Sequence, residues 1–446
     1  MTKIAIIGAG SQFGGKLSRD ILSLPELRDA HIALCDIDGE RLGLVTRYVR
    51  RIIEGHDLPA RLSSTTERRE ALEGADFVVT SIAVGGPAYA GFPANVEVEI
   101  PRKFGIEQSV ADTIGVGGVF RFLRTAPVQL AVCHDMEELC PDALLLNYTN
   151  PMAMLTWLHS AGSKIANVGL CHSVQGTASE LARYLGVPSG EVNYLCAGIN
   201  HQAWYLRLRQ GEEDLYPRLR TLLSDPEAVA KDSVRFEMFR HFGYFVTEST
   251  RHCSEYHPYF RRTKELRERF GLEERVVADA PTRRREWMEA PESAPLPDLT
   301  MSNEYAARIM QAVVSNAPYR FNGNVINTGL LPNLPAGCCV EVPCLVDKNG
   351  VQPTRVGALP PHLAALIQTN VNVQALTVEA ALTGKREHVY HAAMLDPHTA
   401  AELDLDQVWH LVDDLIEAHG ELIPPLTGGT LERGEGTAAS VAASRV

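Results

Sequence analysis

The sequence lacks any apolar run of the roughly 18 residues that a membrane-spanning helix requires. Its first apolar segment, Ile4-Ala5-Ile6-Ile7, ends at Gly8 and is followed by no small-residue cleavage site typical of a signal peptide. We therefore expect no membrane association and no export, and we expect the protein to act in the cytoplasm.

Basic residues are also scarce: 42 Lys and Arg stand against 55 Asp and Glu, which gives a net charge of -13. Binding to a phosphate backbone depends on clustered Lys and Arg, so the composition argues against a nucleic-acid partner. We expect a small-molecule ligand instead.

The cysteines also show no pattern typical of disulfide bonding, because nine of them are spread over 446 residues. An odd number in a chain without an export signal argues against a disulfide framework. A cysteine that lies beside a histidine at the end of a strand is therefore a candidate metal ligand.

What the sequence does contain is an alternation of short apolar strands with helical patterns. After one of these strands, Thr177-Ala178-Ser179-Glu180 predicts the start of a helix through a capping box, and Gly186 predicts its end. Such alternation predicts an α/β fold with a Rossmann-like, doubly wound parallel sheet. The predicted strands are Lys3–Ile7, His31–Cys35, Asp76–Ile82, Ala143–Leu146 and Ile165–Leu170.

The first strand ends in a glycine turn that is typical of a dinucleotide site. Gly8, Gly10 and Ser11 lie between this strand and a helical pattern, where backbone amides can approach a pyrophosphate. The spacing departs from G-x-G-x-x-G because position 13 is Phe, and this leaves open which glycine supplies the close packing of the helix.

Asp36 ends the second strand, where a carboxylate accepts hydrogen bonds from ribose hydroxyls and repels a 2′-phosphate. The sequence thus predicts binding of NAD rather than NADP. A malate- or lactate-type dehydrogenase would share all of these features.

We expect a boundary near residue 190, where the alternation of strands and helices ends. Residues 1–190 are predicted to form the NAD-binding region, and residues 191–427 a second, α+β region for substrate, metal and oligomer contacts. The segment Arg283–Asp298 is expected to be a surface excursion, and residues 428–446 a flexible tail.

Polar residues follow the later strands. Asn150, Cys171 and His172 lie just beyond predicted strand ends, and the carboxyl ends of parallel strands share one crevice. A thiolate from Cys171 and an imidazole from His201 could ligate a divalent ion. Residue type alone leaves the plainer alternatives open, a buried cysteine and a hydrogen-bonded histidine.

The segments that begin at Ala111, Asn147, Gly169, Gly198 and Asn333 together resemble the signature blocks of glycoside hydrolase family four. The similarity extends from the first strand to about residue 425. The Cys-His-Ser-Val sequence resembles the α-galactosidase type, whereas Cys-Asp and Cys-Asn resemble the 6-phosphoglycosidases.

This resemblance implies roles for individual residues. Cys171 and His201 would hold Mn²⁺, Asn150 would bind a sugar hydroxyl, and His172 would be the general acid. Tyr256 is our choice as the proton acceptor. Tyr244 and Glu248 are its rivals.

The resemblance also implies an NAD- and Mn²⁺-dependent α-galactosidase. Hydride would leave carbon 3 of the sugar, a base would remove the proton on carbon 2, and elimination, water addition and reduction would complete hydrolysis. This NAD-dependent family is an exception to the usual hydrolysis of glycosides by two carboxylates. We expect a homodimer or homotetramer.

Three alternatives stay open. The first is an α-galacturonidase of the same family, which could use Arg121 or Arg124 to bind the substrate carboxylate, or an α-glucosidase of that family. A true dehydrogenase would release NADH. A nucleotide sensor would carry out no chemistry.

Overall fold

The computed structural model describes residues 1–86, 96–272 and 295–428. Most of the expected surface excursion, residues 283–294, and nearly all of the expected tail, residues 429–446, lie outside the described residues. The strands are β1 (Lys3–Ile7), β2 (His31–Cys35), β3 (Arg61–Thr65), β4 (Phe77–Thr80), β5 (Leu144–Asn147), β6 (Asn167–Gly169), β7 (Val192–Ile199), β8 (Gln202–Gln210), β9 (Glu213–Asp214), β10 (Tyr319–Ile326), β11 (Cys339–Asp347) and β12 (Gly350–Pro353).

Within the described ranges, 12 strands form one sheet. Its order is β3-β2-β1-β4-β5-β6-β10-β11-β7-β8-β9, with β12 paired to β11. The first six strands are parallel and follow the order 3-2-1-4-5-6 of dinucleotide-binding sheets. The predicted Rossmann-like, doubly wound sheet is therefore confirmed.

The predictions of β1 and β2 match their observed bounds, because both strands are apolar throughout and almost wholly buried. Strand β3 was not predicted. Its sequence, Arg-Leu-Ser-Ser-Thr, is polar and none of its residues is buried, since it forms the edge of the sheet. An exposed edge strand has no apolar pattern from which it could be recognised.

The described ranges also contain sixteen α-helices. In chain order they are α1 (Gln12–Ser23), α2 (Gly39–Gly55), α3 (Arg68–Leu72), α4 (Val96–Lys103), α5 (Gly115–Leu139), α6 (Met152–Gly162), α7 (Ser173–Leu185), α8 (Tyr216–Thr221), α9 (Pro226–Lys231), α10 (Ser233–Phe242), α11 (Thr250–Glu255), α12 (Lys264–Arg269), α13 (Ala306–Ser315), α14 (Pro361–Thr383), α15 (Arg386–Leu395) and α16 (Leu405–His419). None of the helices in the described ranges is long and apolar enough to span a bilayer.

The start predicted for α7 is wrong. The helix begins at Ser173, so Thr177 lies inside it rather than at its N-cap. The Thr177 hydroxyl instead accepts hydrogen bonds from the Glu248 backbone N–H and from Arg235. The predicted end is confirmed, because Gly186 adopts the left-handed conformation with φ 64° and caps the helix.

The hairpin of β10 and β11 is inserted between β6 and β7, although β6 and β7 are neighbours in sequence. Asn324 of β10 pairs with Gly169, and Glu341 of β11 pairs with Gly198. The sheet and the largest hydrophobic core are consequently continuous on both sides of residue 190. This insertion brings the end of β6 and the bend between β7 and β8 to one site.

Candidate active site

The turn after β1 approaches its neighbours too closely for side chains. Gly8 has φ 88°, and a Cβ there would lie 2.2 Å from the Ser81 carbonyl oxygen. A Cβ at Gly14 would lie 2.3 Å from the Ala9 carbonyl oxygen. Gly14 therefore supplies the close packing of α1 on the turn that the sequence left unassigned.

Asp36 faces this turn from the end of β2. Its Oδ2 accepts a hydrogen bond from the Gly10 N–H at 2.8 Å, and its Oδ1 accepts one from the Asp38 N–H at 2.9 Å. Ser11 is the N-cap residue of α1, so the first amides of the helix face the same crevice. The four predicted nucleotide residues lie together.

Cys171 and His201 also lie together. Cys171 follows β6, His201 occupies the bend between β7 and β8, and Sγ lies 3.2 Å from Nε2. Burial lowers the pKa of His201, which favours the neutral imidazole that can ligate a metal. Burial raises the pKa of the Cys171 thiol, so an attached cation would be needed to stabilise the thiolate.

A chain of polar contacts connects this pair to Asn150. The Asn150 Nδ2 donates to Asp112 Oδ2 at 3.0 Å, and Asp112 Oδ1 lies 3.2 Å from His252 Nε2. His252 Nδ1 lies 3.1 Å from Glu248 Oε1, and Glu248 Oε2 lies 3.6 Å from His201 Nε2. The candidate sugar ligand and the candidate metal ligands therefore belong to one site.

Two carboxylates enclose His252. Burial alone would lower the pKa of His252, but Asp112 and Glu248 raise it well above its ordinary value. Burial alone would raise the pKa of Glu248, yet His201 and His252 lower it to about 2. The imidazolium is therefore held between two ionised carboxylates.

His172 contacts a different acidic residue, Glu304, outside this chain of contacts. Its Nε2 lies 2.5 Å from Glu304 Oε2, and Lys16 of α1 donates to Glu304 Oε1 at 3.0 Å. Burial alone would raise the pKa of Glu304, but His172 and Lys16 lower it. The ionised Glu304 thus fixes the orientation of the half-exposed His172 ring.

Glu255 supports the segment that carries Asp112. Its carboxylate accepts hydrogen bonds from the backbone N–H groups of Ser109, Val110 and Ala111 at 2.7, 2.9 and 3.0 Å. Glu255 is buried, so these charge-assisted bonds hold the segment rigidly against the site.

The three candidates for the proton acceptor, Tyr256, Glu248 and Tyr244, differ in their contacts with His201. The Tyr256 ring lies 6.5 Å from the His201 ring, and burial raises the pKa of Tyr256 well above its ordinary value. Glu248 contacts His201 directly. Tyr244 packs against the rings of Tyr216 and His362 instead, so it does not share these contacts.

The two candidate carboxylate-binding arginines also differ. The Arg121 Nε donates to the Asn150 carbonyl oxygen at 3.4 Å and therefore lies beside the site. Arg124 is only 1% exposed and is paired with buried Glu97, with Nε 2.5 Å from Oε1. Its guanidinium is engaged within the protein core.

Sequence reasoning gave no role to Asp112, His252, Glu304 or Glu255. Asp112 lies in a segment that already resembled a family block, and His252 follows Glu248 by four positions. Glu304 gave no such signal, since it contacts His172 across 132 positions of sequence.

The fold and the site together define a Rossmann-type α/β protein with a thiol and an imidazole at the carboxyl end of its parallel sheet. Family models identify it further: "Family 4 glycosyl hydrolase" matches residues 3–187, and "Family 4 glycosyl hydrolase C-terminal domain" matches residues 196–399. The chain belongs to family 4 of the glycosyl hydrolases.

Two relatives are α-galactosidases. The one from Bacillus subtilis (strain 168) is 42% identical, covering 95% of this chain and 99% of the relative. The one from Rhizobium meliloti (strain 1021) is 38% identical, covering 95% of this chain and 89% of the relative. A solved 6-phospho-alpha-glucosidase from gut microorganisms, in complex with NAD and Mn²⁺, has the same fold, with a TM-score of 0.81, 20% identity and coverage of 96% and 100%.

Proposed function

We propose that the protein is an NAD- and Mn²⁺-dependent α-galactosidase that hydrolyses α-galactosides. The observation that carries this proposal is the 3.2 Å contact between Cys171 Sγ and His201 Nε2, at the site that also contains Asn150. The relatives with 42% and 38% identity are both α-galactosidases, which favours this substrate class within the family.

The residues of the turn fit a dinucleotide. The glycines allow the turn to pack against Ser81, Asp36 and Ala9, where a Cβ would not fit, and the first amides of α1 suit a pyrophosphate. Asp36 presents a carboxylate at the end of β2, where it would exchange its bond with Gly10 for ribose hydroxyls. We assign Gly8, Gly10, Ser11 and Asp36 to NAD on these grounds.

The pair of Cys171 and His201 fits a divalent transition metal, because sulfur and neutral imidazole nitrogen are both good ligands for such ions. When bound, NAD accepts and returns the hydride of carbon 3, and Mn²⁺ stabilises negative charge at the neighbouring sugar oxygens. The protein must supply the orientation and the proton transfers.

Asn150 is placed to orient the sugar. Its Nδ2 donates to Asp112, which leaves its carbonyl oxygen to accept a hydrogen bond from a sugar hydroxyl. Tyr256 would accept the proton from carbon 2 as its phenolate, which a bound cation would have to stabilise against burial. It lies beside His201, whereas Tyr244 does not. His172, oriented by Glu304, would donate a proton to the leaving oxygen.

The electrostatics support a neutral sugar over a uronide. Asp112 places an ionised carboxylate against Asn150, and burial, which alone would raise the pKa of Asp112, is outweighed by His252 and Arg121. Of the two arginines that could bind a substrate carboxylate, Arg124 is already paired with Glu97. An anionic sugar would therefore meet the Asp112 carboxylate, and of these two arginines Arg121 is the one that lies beside Asn150.

We also propose that the enzyme acts in the cytoplasm as a homodimer or homotetramer. All nine cysteines are free thiols, which supports a reducing compartment. The proposed boundary near residue 190 lies between the segments matched by the two family models.

The test is incubation with p-nitrophenyl α-galactoside, NAD⁺ and Mn²⁺. We expect release of nitrophenol without accumulation of NADH, and loss of this release in the Cys171→Ser variant. Stoichiometric NADH would favour a dehydrogenase, and neither signal would favour a nucleotide sensor. Faster turnover of a p-nitrophenyl α-galacturonide or α-glucoside would overturn the substrate assignment.

A further inference from the structure

We infer that Glu248 is a third protein ligand of the divalent metal and completes a sulfur, nitrogen and oxygen set with Cys171 and His201. This inference rests on the proposed metal-dependent function. It extends the two-residue ligand set and removes Glu248 from the candidates for the proton acceptor.

The ligand atoms of the three residues lie close enough together to share one cation. His201 Nε2 lies 3.2 Å from Cys171 Sγ and 3.6 Å from Glu248 Oε2, and all three ligand atoms lie within 4.8 Å of one another. Ligands with bonds of about 2.0–2.3 Å, separated by tetrahedral or octahedral angles, are roughly 3–3.7 Å apart. Both distances from Nε2 fall in this range.

Backbone conformation supports the same conclusion. His201 and Glu248 have φ values of 63° and 76°, in the left-handed region that side chains other than glycine rarely adopt. Neither residue is a glycine, so the surrounding structure must hold each one in place. For Glu248 it does so through Thr177, whose hydroxyl accepts from the Glu248 backbone N–H at 3.2 Å and from Arg235 at 3.0 Å.

The second oxygen of the carboxylate is already occupied. Glu248 Oε1 lies 3.1 Å from His252 Nδ1, and His252 Nε2 lies 3.2 Å from Asp112. Metal-ligating carboxylates are commonly held by such outer hydrogen bonds, which orient the free oxygen toward the ion. Here the other oxygen, Oε2, faces His201.

A ligand role and a base role make different demands on Glu248. If Glu248 were the base, it would accept a proton from the sugar. Its replacement by an amide would then leave the affinity for the metal largely intact. If Glu248 were a ligand, its negative charge would stabilise the bound cation even before any sugar binds. Affinity for the metal alone therefore separates the two roles.

The experiment measures binding of Mn²⁺ to the full-length, metal-free protein under reducing conditions, without NAD or sugar, from the electron paramagnetic resonance signal of free Mn²⁺. We expect Glu248→Gln to weaken binding about 10- to 100-fold, in the range typical for loss of a residue that tunes a metal site. The matched control is Glu304→Gln, which alters another carboxylate that contacts a histidine and should leave Mn²⁺ affinity unchanged.

Binding of Mn²⁺ to Glu248→Gln within twofold of the parent protein would overturn the inference, while Cys171→Ser that loses Mn²⁺ would leave the proposed function standing. Failure of the parent protein itself to bind Mn²⁺ would overturn both. Should Glu248→Gln not fold, Glu248→Asp is measured instead. With Co²⁺ in place of Mn²⁺, loss of Glu248 should shift the visible ligand-field bands and preserve the sulfur-to-metal charge-transfer band.

Discussion

The ion pair of Arg124 and Glu97 makes a quantitative prediction about stability. Arg124 Nε lies 2.5 Å from Glu97 Oε1, Nη2 lies 3.0 Å from Oε2, and the two side chains are 1% and 2% exposed. Arg124 also donates to the Val84 carbonyl oxygen, just beyond β4. Arg124 and Glu97 thereby fasten α4 and α5 to the segment that follows β4.

The perturbation is Arg124→Met, which keeps most of the apolar length and removes the charge. Glu97 is then left buried, with His419 Nε2 at 3.2 Å as a remaining contact. Removal of one partner of a buried ion pair costs about 3–5 kcal/mol, because the other charge stays desolvated. Total stabilities are about 5–15 kcal/mol, so the loss is a large fraction of the whole.

The assay is urea unfolding at pH 7, followed by tryptophan fluorescence. The double variant Arg124→Met with Glu97→Leu should recover part of the loss, because it leaves no unpaired carboxylate. A single-variant loss below about 1 kcal/mol, in the range of an exposed pair, would refute the reasoning. A selective change in the ratio of uronide to galactoside turnover, without loss of stability, would instead show that Arg124 binds substrate.

Two further predictions concern a buried acid and a glycine. Burial raises the pKa of Asp396 from 3.8 to about 6, so the folded state favours the protonated acid, and the stability of the parent protein should fall as pH rises from about 4 to 6. Asp396→Asn should therefore raise the free energy of unfolding by up to about 3 kcal/mol at pH 7 and leave it unchanged near pH 4, as measured by urea unfolding. A difference from the parent protein that does not depend on pH would contradict this. Gly14→Ala should weaken NAD binding, measured by calorimetry, at least tenfold, because the new Cβ would overlap the Ala9 carbonyl. The control Gly176→Ala, whose Cβ would meet open space, should bind NAD normally. Equal affinities of the two variants would refute the packing role of Gly14.

The parallel sheet could be predicted because buried strands carry a dense apolar signal. β1 and β2 were recognised from that signal alone, and β3 was missed because its exposed polar side chains do not produce it. The capping box predicted at Thr177 does not start α7, because this helix begins at Ser173. The Thr177 hydroxyl binds the Glu248 backbone instead of starting a helix.

The site could be predicted only in part, for a related reason. Asn150, Cys171 and His172 follow strands, and the rule that ligands gather at carboxyl ends of parallel strands places them without coordinates. Asp112 and Glu304 approach from segments far away in sequence, and no periodicity relates them to their partners. Only the three-dimensional path of the chain brings them to the site.

The insertion of β10 and β11 between β6 and β7 has a consequence for biosynthesis. A ribosome that has made the first 210 residues has already delivered Cys171 and His201, yet the hairpin that belongs between their strands is still untranslated. Ion capture by the nascent polypeptide should therefore wait until roughly residue 347 has left the exit tunnel. A protein molecule that contains the metal would then be one in which β10 and β11 have already been synthesised. Metal binding would therefore mark a late stage of its synthesis.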